Sequence, residues 1–591
     1  VRTGRNHVRI GGAAGFWGDS ALGPRQLLEG GDLDYLVFDY LAELTMSLLA
    51  AARRKQPELG YATDFIDAMR DVLGDALARG VRIIANAGGI HPQGCAAALR
   101  ALAAQQGLAP RIAVVEGDDV AALLPALQAE GTALPAAVLS ANAYLGALPI
   151  KAALDGGADV VITGRCVDSA VTLGALMHEF GWAGDDYDRL AAGSLAGHLI
   201  ECGCQGSGGL FTDWEAVPDW ANSGYPVVEC RADGSFVLGK PDGTGGLVAP
   251  AVAAEQLLYE IGDPARYVLP DVVCDFTGVT LAADGPQRVL VRGARGHAPT
   301  PTYKVSATYA DGFRSAAQLT IVGHDAGRKA RRSAEAILAR TRAMFSRAGL
   351  GDYTATHIDV LGAAEGFGQA VMWLAVAHPQ RAALELFARE IAPAGTSWAP
   401  GTTGFGGRPA VSPAIKQFSF LLDKTRLQPV VHLPDGSQVR PTIPPGQAVT
   451  DGPMPQLGHT ARADGGTRAE TPTEAKDGWR SVPLIELAWA RSGDKGDISN
   501  IGVIARHPDD LALLREQLTP QTVAAFLADK VGGPVTRYEL PGIHAFNFVC
   551  EQALGGGGMA SLRHDPLGKG MAQWLLAMPV VVPPGFTTRR P

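Results

Sequence analysis

Cysteine is scarce in this 591-residue chain, with seven residues scattered from Cys95 to Cys550. None forms the CxxCxxC run of an iron–sulfur ligand set. Cys202 and Cys204 are separated by one residue, closer than a zinc knuckle requires, and no second pair follows. The scatter fits a reducing compartment rather than a disulfide framework. No metal site is expected, and elemental analysis should find no stoichiometric iron–sulfur centre or structural zinc. Long apolar runs are also missing. Nothing approaches the roughly 18 residues of a membrane span, and the first residues lack a signal-like apolar core, so a cytoplasmic protein without membrane insertion is expected. Positive charge is in deficit, with a formal net charge of -9 and a pI near 5.8. That argues against nucleic acid as a partner, although a local cluster could still hold an anionic substrate. The phosphate-binding spacings GxGxxG and GxxxxGK(S/T) are absent. GGAAG at Gly11 to Gly15 follows a strand, but its spacing is different and Trp17 would crowd a pyrophosphate.

Apolar residues make up 47% of the chain, enough for about two to four domains. Glycine, at 74 residues, implies many tight turns and backbone-lined pockets. From residue 8 to about 180, short β-rich runs alternate with amphipathic helices. Repeated strand–helix units predict an α/β domain built on a mainly parallel, doubly wound sheet, with a closed barrel as the alternative. Another strand of this cycle is expected near 136–139. Residues 181–450 read as a mixed α/β portion completing the main body, with a hairpin around Asp284-Gly285, helices over 329–347 and 369–387, and a glycine-rich loop at 401–408. Residues 451–478 have almost nothing to bury and read as a flexible linker, where limited proteolysis should cut first. A compact α/β module follows at 479–591.

Polar residues recur just after the predicted strands: Asp19, Asp39, Asn86, Glu116, Asp118, Asn142, Arg165 and Asp168. Ligands of open parallel sheets bind at that edge. Asp39 and Glu43, spaced like neighbours on a helix, would repel one another, which favours a site over a stabilising role; the bland alternative is a helix start that tolerates acids. Arg165 offers a planar fork for a carboxylate or phosphate, or an internal ion pair with Asp168, and Ser169 can cap the next helix. His198 and Glu201, three apart, suit an acid/base pair or structural packing. Lys304, Arg408 and Lys416 are basic groups beside loops, with Lys416 read as a solvated charge. In RSGDKGDISN, turn glycines would let Arg491, Lys495 and Asn500 converge on an anion.

Several strings carry a family resemblance: GFWGD (15–19), DYLAELTM (39–46), NAGG (86–89), TGRCVDSA (163–170), GHLIECG (197–203) and RSGDKGD (491–497). In matching order over nearly the whole chain, they resemble the acyclic terpene utilisation family, bacterial and fungal proteins linked to citronellol and geraniol breakdown. The resemblance implies an N-terminal α/β region and a C-terminal α+β ferredoxin-like module, where the word describes the fold. It also implies catabolism of branched acyclic terpenoids through coenzyme A thioesters. The expected activity is that of a lyase or hydrolase acting on a branched acyl-CoA or hydroxyacyl-CoA by hydration, hydrolysis or carbon–carbon cleavage. No intrinsic cofactor is expected, coenzyme A being part of the substrate. A homo-oligomer is expected, with a pathway partner subunit as a further possibility. The alternative is a noncatalytic or assembly subunit of a carboxylase or lyase complex. Catalytic candidates are Asp19, Asp39, Glu43, Asp168, His198 and Glu201. Substrate-binding candidates are Gly15, Asn86, Gly88, Gly89, Arg165, Lys304, Arg491 and Lys495.

Overall fold

The computed structural model describes residues 6–362, 365–447, 459–461 and 478–590. Its first eight strands are β1 (His7–Ala14), β2 (Tyr35–Phe38), β3 (Arg82–Ala85), β4 (Ile112–Glu116), β5 (Val138–Ala143), β6 (Val160–Thr163), β7 (Val227–Arg231) and β8 (Phe236–Gly239). Five of them pair in parallel, in the order β1–β2–β3–β6–β4. Antiparallel strands extend this centre on both sides, β7, β8 and the hairpin Thr280–Ala283/Val289–Arg292 beyond β1, and Val430–His432 and Gln438–Val439 beyond β4. The resulting eleven-stranded sheet is open, which sets aside the barrel.

Successive side chains of a strand point to opposite faces, and the cores divide accordingly. Leu36, Phe38, Ile83 and Ile162 pack with the helices Thr63–Arg79 and Pro92–Gln105. Tyr35, Val37, Ile84 and Val161 pack with Leu148–Asp155, Ala170–Phe180 and Tyr187–Ile200. The chain leaves β3 over one face and β6 over the other. Adjacent strands whose connections diverge leave a crevice at their carboxyl ends, and Asn86 and Arg165 follow those two strands.

Two predicted elements differ. β5 does not join the parallel cycle but pairs antiparallel with Thr302–His324, the 23-residue strand at the centre of a second sheet. The helix expected over 369–387 is a strand, Phe367–His378, followed by the helix Arg381–Arg389. Ala370, Met372, Leu374 and Val376 are buried at period two, the signature of a strand. Together with Ala355–Gly362, Thr402–Phe405 (expected as loop) and Ser412–Asp423, these strands cover a core shared with the helix Ala326–Arg347. Ser169 occupies the position before its helix without a side-chain cap.

The C-terminal module is an antiparallel sheet in the order Ala488–Lys495, Ile498–Ala505, Ala545–Cys550, Val535–Leu540, His459–Ala461, with its own core and the helices Leu511–Gln517, Pro520–Phe526 and Met571–Leu576. Residues 459–461 fall within the predicted linker and pair with Val535–Leu540; residues 451–458 and 462–477 lie outside the described set. The module is bolted to the main body by polar contacts. Asn500 donates to Leu258 O at 2.6 Å, Asn547 to Ile261 O at 2.7 Å, and Arg506 to Asp213 at 2.6 Å. Among the described residues, no helix is long and apolar enough to cross a membrane.

Candidate functional site

The carboxyl edge of the parallel sheet gathers Asp39, Glu43, Asn86, Arg165 and Asp168. Asp39 ends β2 and precedes the helix Glu43–Lys55, so the two acids do not share a helix face as the spacing suggested. Asp39 is 7% exposed and accepts a hydrogen bond from the Asn86 amide, while the Asn86 carbonyl accepts from Tyr40 N at 2.7 Å. Asn86 thus orients the carboxyl from the neighbouring strand end. Burial, then the Asp168 carboxylate, push Asp39 well above the ordinary carboxylate range, against the pull of Arg165 and Asn86.

Glu43 behaves oppositely. Burial alone would raise it, but Arg165, Lys304 and the Tyr144 hydroxyl outweigh that and hold it at about 2. Tyr144 donates to Glu43 Oε1, and Gln417 Nε2 lies 3.3 Å from the same oxygen.

Arg165 joins the two acids. It is 4% exposed, and Nη1 donates to Leu41 O at 2.7 Å and Asp168 Oδ1 at 2.8 Å. Its guanidinium carbon sits 4.3 Å from the Tyr144 ring centre, an additional electrostatic attraction. Behind it, buried Asp118 accepts from Arg165 N at 2.9 Å and from Asn142 at 2.7 Å, fixing the turn. The internal ion pair with Asp168 is therefore real.

On the opposite bank, His198 Nδ1 lies 2.8 Å from Glu201 Oε1 and Nε2 lies 3.2 Å from Leu257 O. A carbonyl only accepts, so Nε2 carries a proton. Burial disfavours the imidazolium, but Glu201 outweighs it and raises His198. Burial, with Asp168 nearby, raises Glu201. Burial, then Glu201 and Glu260, drive the Cys202 thiol well up, which leaves it protonated and unsuited to nucleophilic attack.

The C-terminal module closes the ring. Lys495 lies at the tip of its first hairpin, 3.2 Å from Glu260, and its side chain is 46% accessible although Glu260, Tyr267, Asp168 and Glu43 surround and stabilise its charge. Lys304, exposed on the long central strand, stands 5.2 Å from the Tyr144 ring centre. Although the side chain keeps solvent contact, crowding by the surrounding protein lowers its pKa, partly offset by Glu43. Burial and Glu260 raise Asp494 to about 7. Lys304 and Lys495 keep solvent contact, whereas Asp39, Arg165 and His198 are buried. Beside them, a cavity of about 480 Å³ is walled by Leu210, Phe211, Trp214 and Trp220, with Lys569 and Arg491 among its polar residues. Lys569 also contacts Tyr259 and lies 3.9 Å from Glu260.

Other candidates have structural work. Asp19 accepts from Gly15 N at 2.9 Å and Tyr225 OH at 2.8 Å, bracing its own turn. A Cβ at Gly15 would come within 2.6 Å of the Cys202 carbonyl carbon, and one at Gly88 within 2.5 Å of Thr163 O. Both glycines make room for neighbouring backbone, and Gly89 has φ of 54° in the adjoining turn. Arg491 is held by Glu255, at 3.1 Å, with Gln205 and Gly209 O as further partners. Its side chain and that of Glu255 are 5% and 0% exposed. Arg491→Met should therefore cost about 3–5 kcal/mol by stranding a buried carboxylate, read by chemical denaturation; a stability change near zero would contradict this assignment.

Tyr144, Glu260, Asp494, Lys569 and Gln417 join the site without having been singled out in the sequence. Asp494 alone had a signal, its place in RSGDKGD. Two family models match the chain. The model described as acyclic terpene utilisation family protein AtuA matches residues 8–433, from β1 to the strand Val430–His432. The chain belongs to the AtuA family. The AtuA ferredoxin-like domain matches residues 482–581, so the segments of the two models jointly build this AtuA site. No curated protein matches the chain.

Proposed function

We propose that this AtuA protein is an acid–base enzyme that adds water to, or removes it from, a branched acyl thioester of coenzyme A. The observation carrying this reading is the separation of carboxyl roles within one cluster: Asp39 is driven towards its neutral form, Glu43 is held ionised, and Glu201 is hydrogen-bonded to His198. Interacting buried carboxyls do not ionise together readily, and divergent environments assign acid and base. Family membership supports the terpenoid pathway, and the aromatic wall beside the cluster suits a branched hydrocarbon chain.

In the hydration direction, Glu201 takes a proton from water as its oxygen bonds to the β-carbon. The carbon–carbon π electrons move onto the thioester oxygen, and the enolate faces the ammonium groups of Lys304 and Lys495. Asp39 then protonates the α-carbon, and solvent returns the proton from Glu201 to Asp39. Thioester hydrolysis and carbon–carbon cleavage draw on the same acid, base and cations. Purified protein should convert a branched enoyl-CoA to its hydroxyacyl-CoA, followed by loss of the enoyl chromophore. Conversion only after a pathway partner is added would instead support an assembly subunit.

A further inference from the structure

A second cavity, of about 550 Å³, lies where the second sheet meets the C-terminal module. Its volume is that of a small-molecule site, and its charge is unusual for an acidic chain. Arg314, Lys416 and Arg563 line it against one carboxylate, Asp311, which pairs with Lys416. Arg314 Nη1 donates to Met559 O at 2.8 Å, and Arg563 Nη1 donates to Lys530 O at 2.9 Å and to Ala553 O. Among the described residues neither guanidinium has a carboxylate partner, although burial disfavours the charge of Arg314 enough to lower its pKa. A half-buried cation without a counter-charge is costly and is relieved by an anion.

The cavity also adjoins the acid–base cluster. Gln417 belongs to its wall and donates to Glu43 at 3.3 Å. Gly555 and Gly556 line it, while a Cβ on Gly557 would come within 3.0 Å of Gly496, next to Lys495. One loop thus forms the cavity wall and packs against the lysine hairpin.

We propose that this cavity binds a phosphate-bearing ligand, the phosphorylated nucleotide end of the coenzyme A thioester. The inference rests on the acyl-thioester reading above. The same phosphate chemistry could come from a free anion, so calorimetry on the full chain should compare 3′,5′-ADP, coenzyme A, inorganic diphosphate and pantetheine. Coenzyme A and 3′,5′-ADP should bind and pantetheine far more weakly. Arg314→Met and Lys416→Met should each weaken 3′,5′-ADP at least about tenfold, the usual scale for a charge-assisted contact. Asp39→Asn should leave that binding unchanged while removing turnover. Unchanged 3′,5′-ADP affinity in both folded cation variants overturns the site, even if thioester turnover is intact. Diphosphate binding without either nucleotide overturns the thioester-tail source. Arginine-dependent nucleotide binding by a protein that converts no thioester upholds the site and refutes the reaction.

Discussion

Asp39→Asn is expected to reduce turnover by about 10²–10⁴-fold, the scale of a lost general acid, while leaving the protein at least as stable as the parent at neutral pH. The amide has the carboxyl's shape and keeps an oxygen for the Asn86 amide to donate to. The stability sign follows from the raised folded-state pKa. An unfolded aspartate ionises near pH 3.9, whereas the folded one holds its proton longer. Its stabilising contribution is complete below the unfolded value and is lost as pH rises towards and through the folded one. The variant should therefore match or fall below the parent near pH 3 and gain on it as pH rises to 7. A loss of stability in the variant that grows as pH rises from 3 to 7 would mean that Asp39 is ionised and holds the fold together.

Arg165→Met is expected to do the opposite, losing stability and activity together. The side chain is nearly inaccessible, and its removal strands Leu41 O and takes the main counter-charge from Glu43. Removing one partner from a buried ion pair costs about 3–5 kcal/mol. Asp168, 32% exposed, regains water when its partner goes, so Asp168→Asn should cost less, and the double variant should be no less stable than Arg165→Met alone. A fully stable Arg165→Met protein that has lost only substrate affinity would place the guanidinium on substrate instead.

Much of this site was legible because the parallel sheet puts its loops in one place. The apolar runs of β2, β3 and β6 end at Asp39, Asn86 and just before Arg165, and an open α/β sheet makes those positions neighbours. At Gly15 and Gly88 the neighbouring backbone already leaves no room for a side chain. A backbone packed against Gly15 or Gly88 leaves the same mark in sequence as a ligand would. The run 367–378 illustrates another limit, since short apolar stretches carry strand and helix periods almost equally well. Tyr144, Glu260 and Lys569 were hidden for a different reason. Each stands alone in its segment, and only the docking of the C-terminal module against the main body brings Glu260 to Lys495 and Lys569. Arg491 shows the cost of reading a charged loop by composition: the same hairpin sends one cation into the interface and the next into the site.

The central claim is that Asp39 exchanges a proton with carbon next to a thioester carbonyl, and isotope exchange tests it without requiring the full reaction. A saturated branched acyl-CoA should be incubated with the protein in deuterated water and its α-position followed by mass spectrometry or NMR. The parent should exchange the α-hydrogen for deuterium well above the protein-free rate, and Asp39→Asn should fall back to that background. Absence of exchange by the parent, or equal exchange by the asparagine variant, would contradict the assignment of Asp39 as the proton-transfer group.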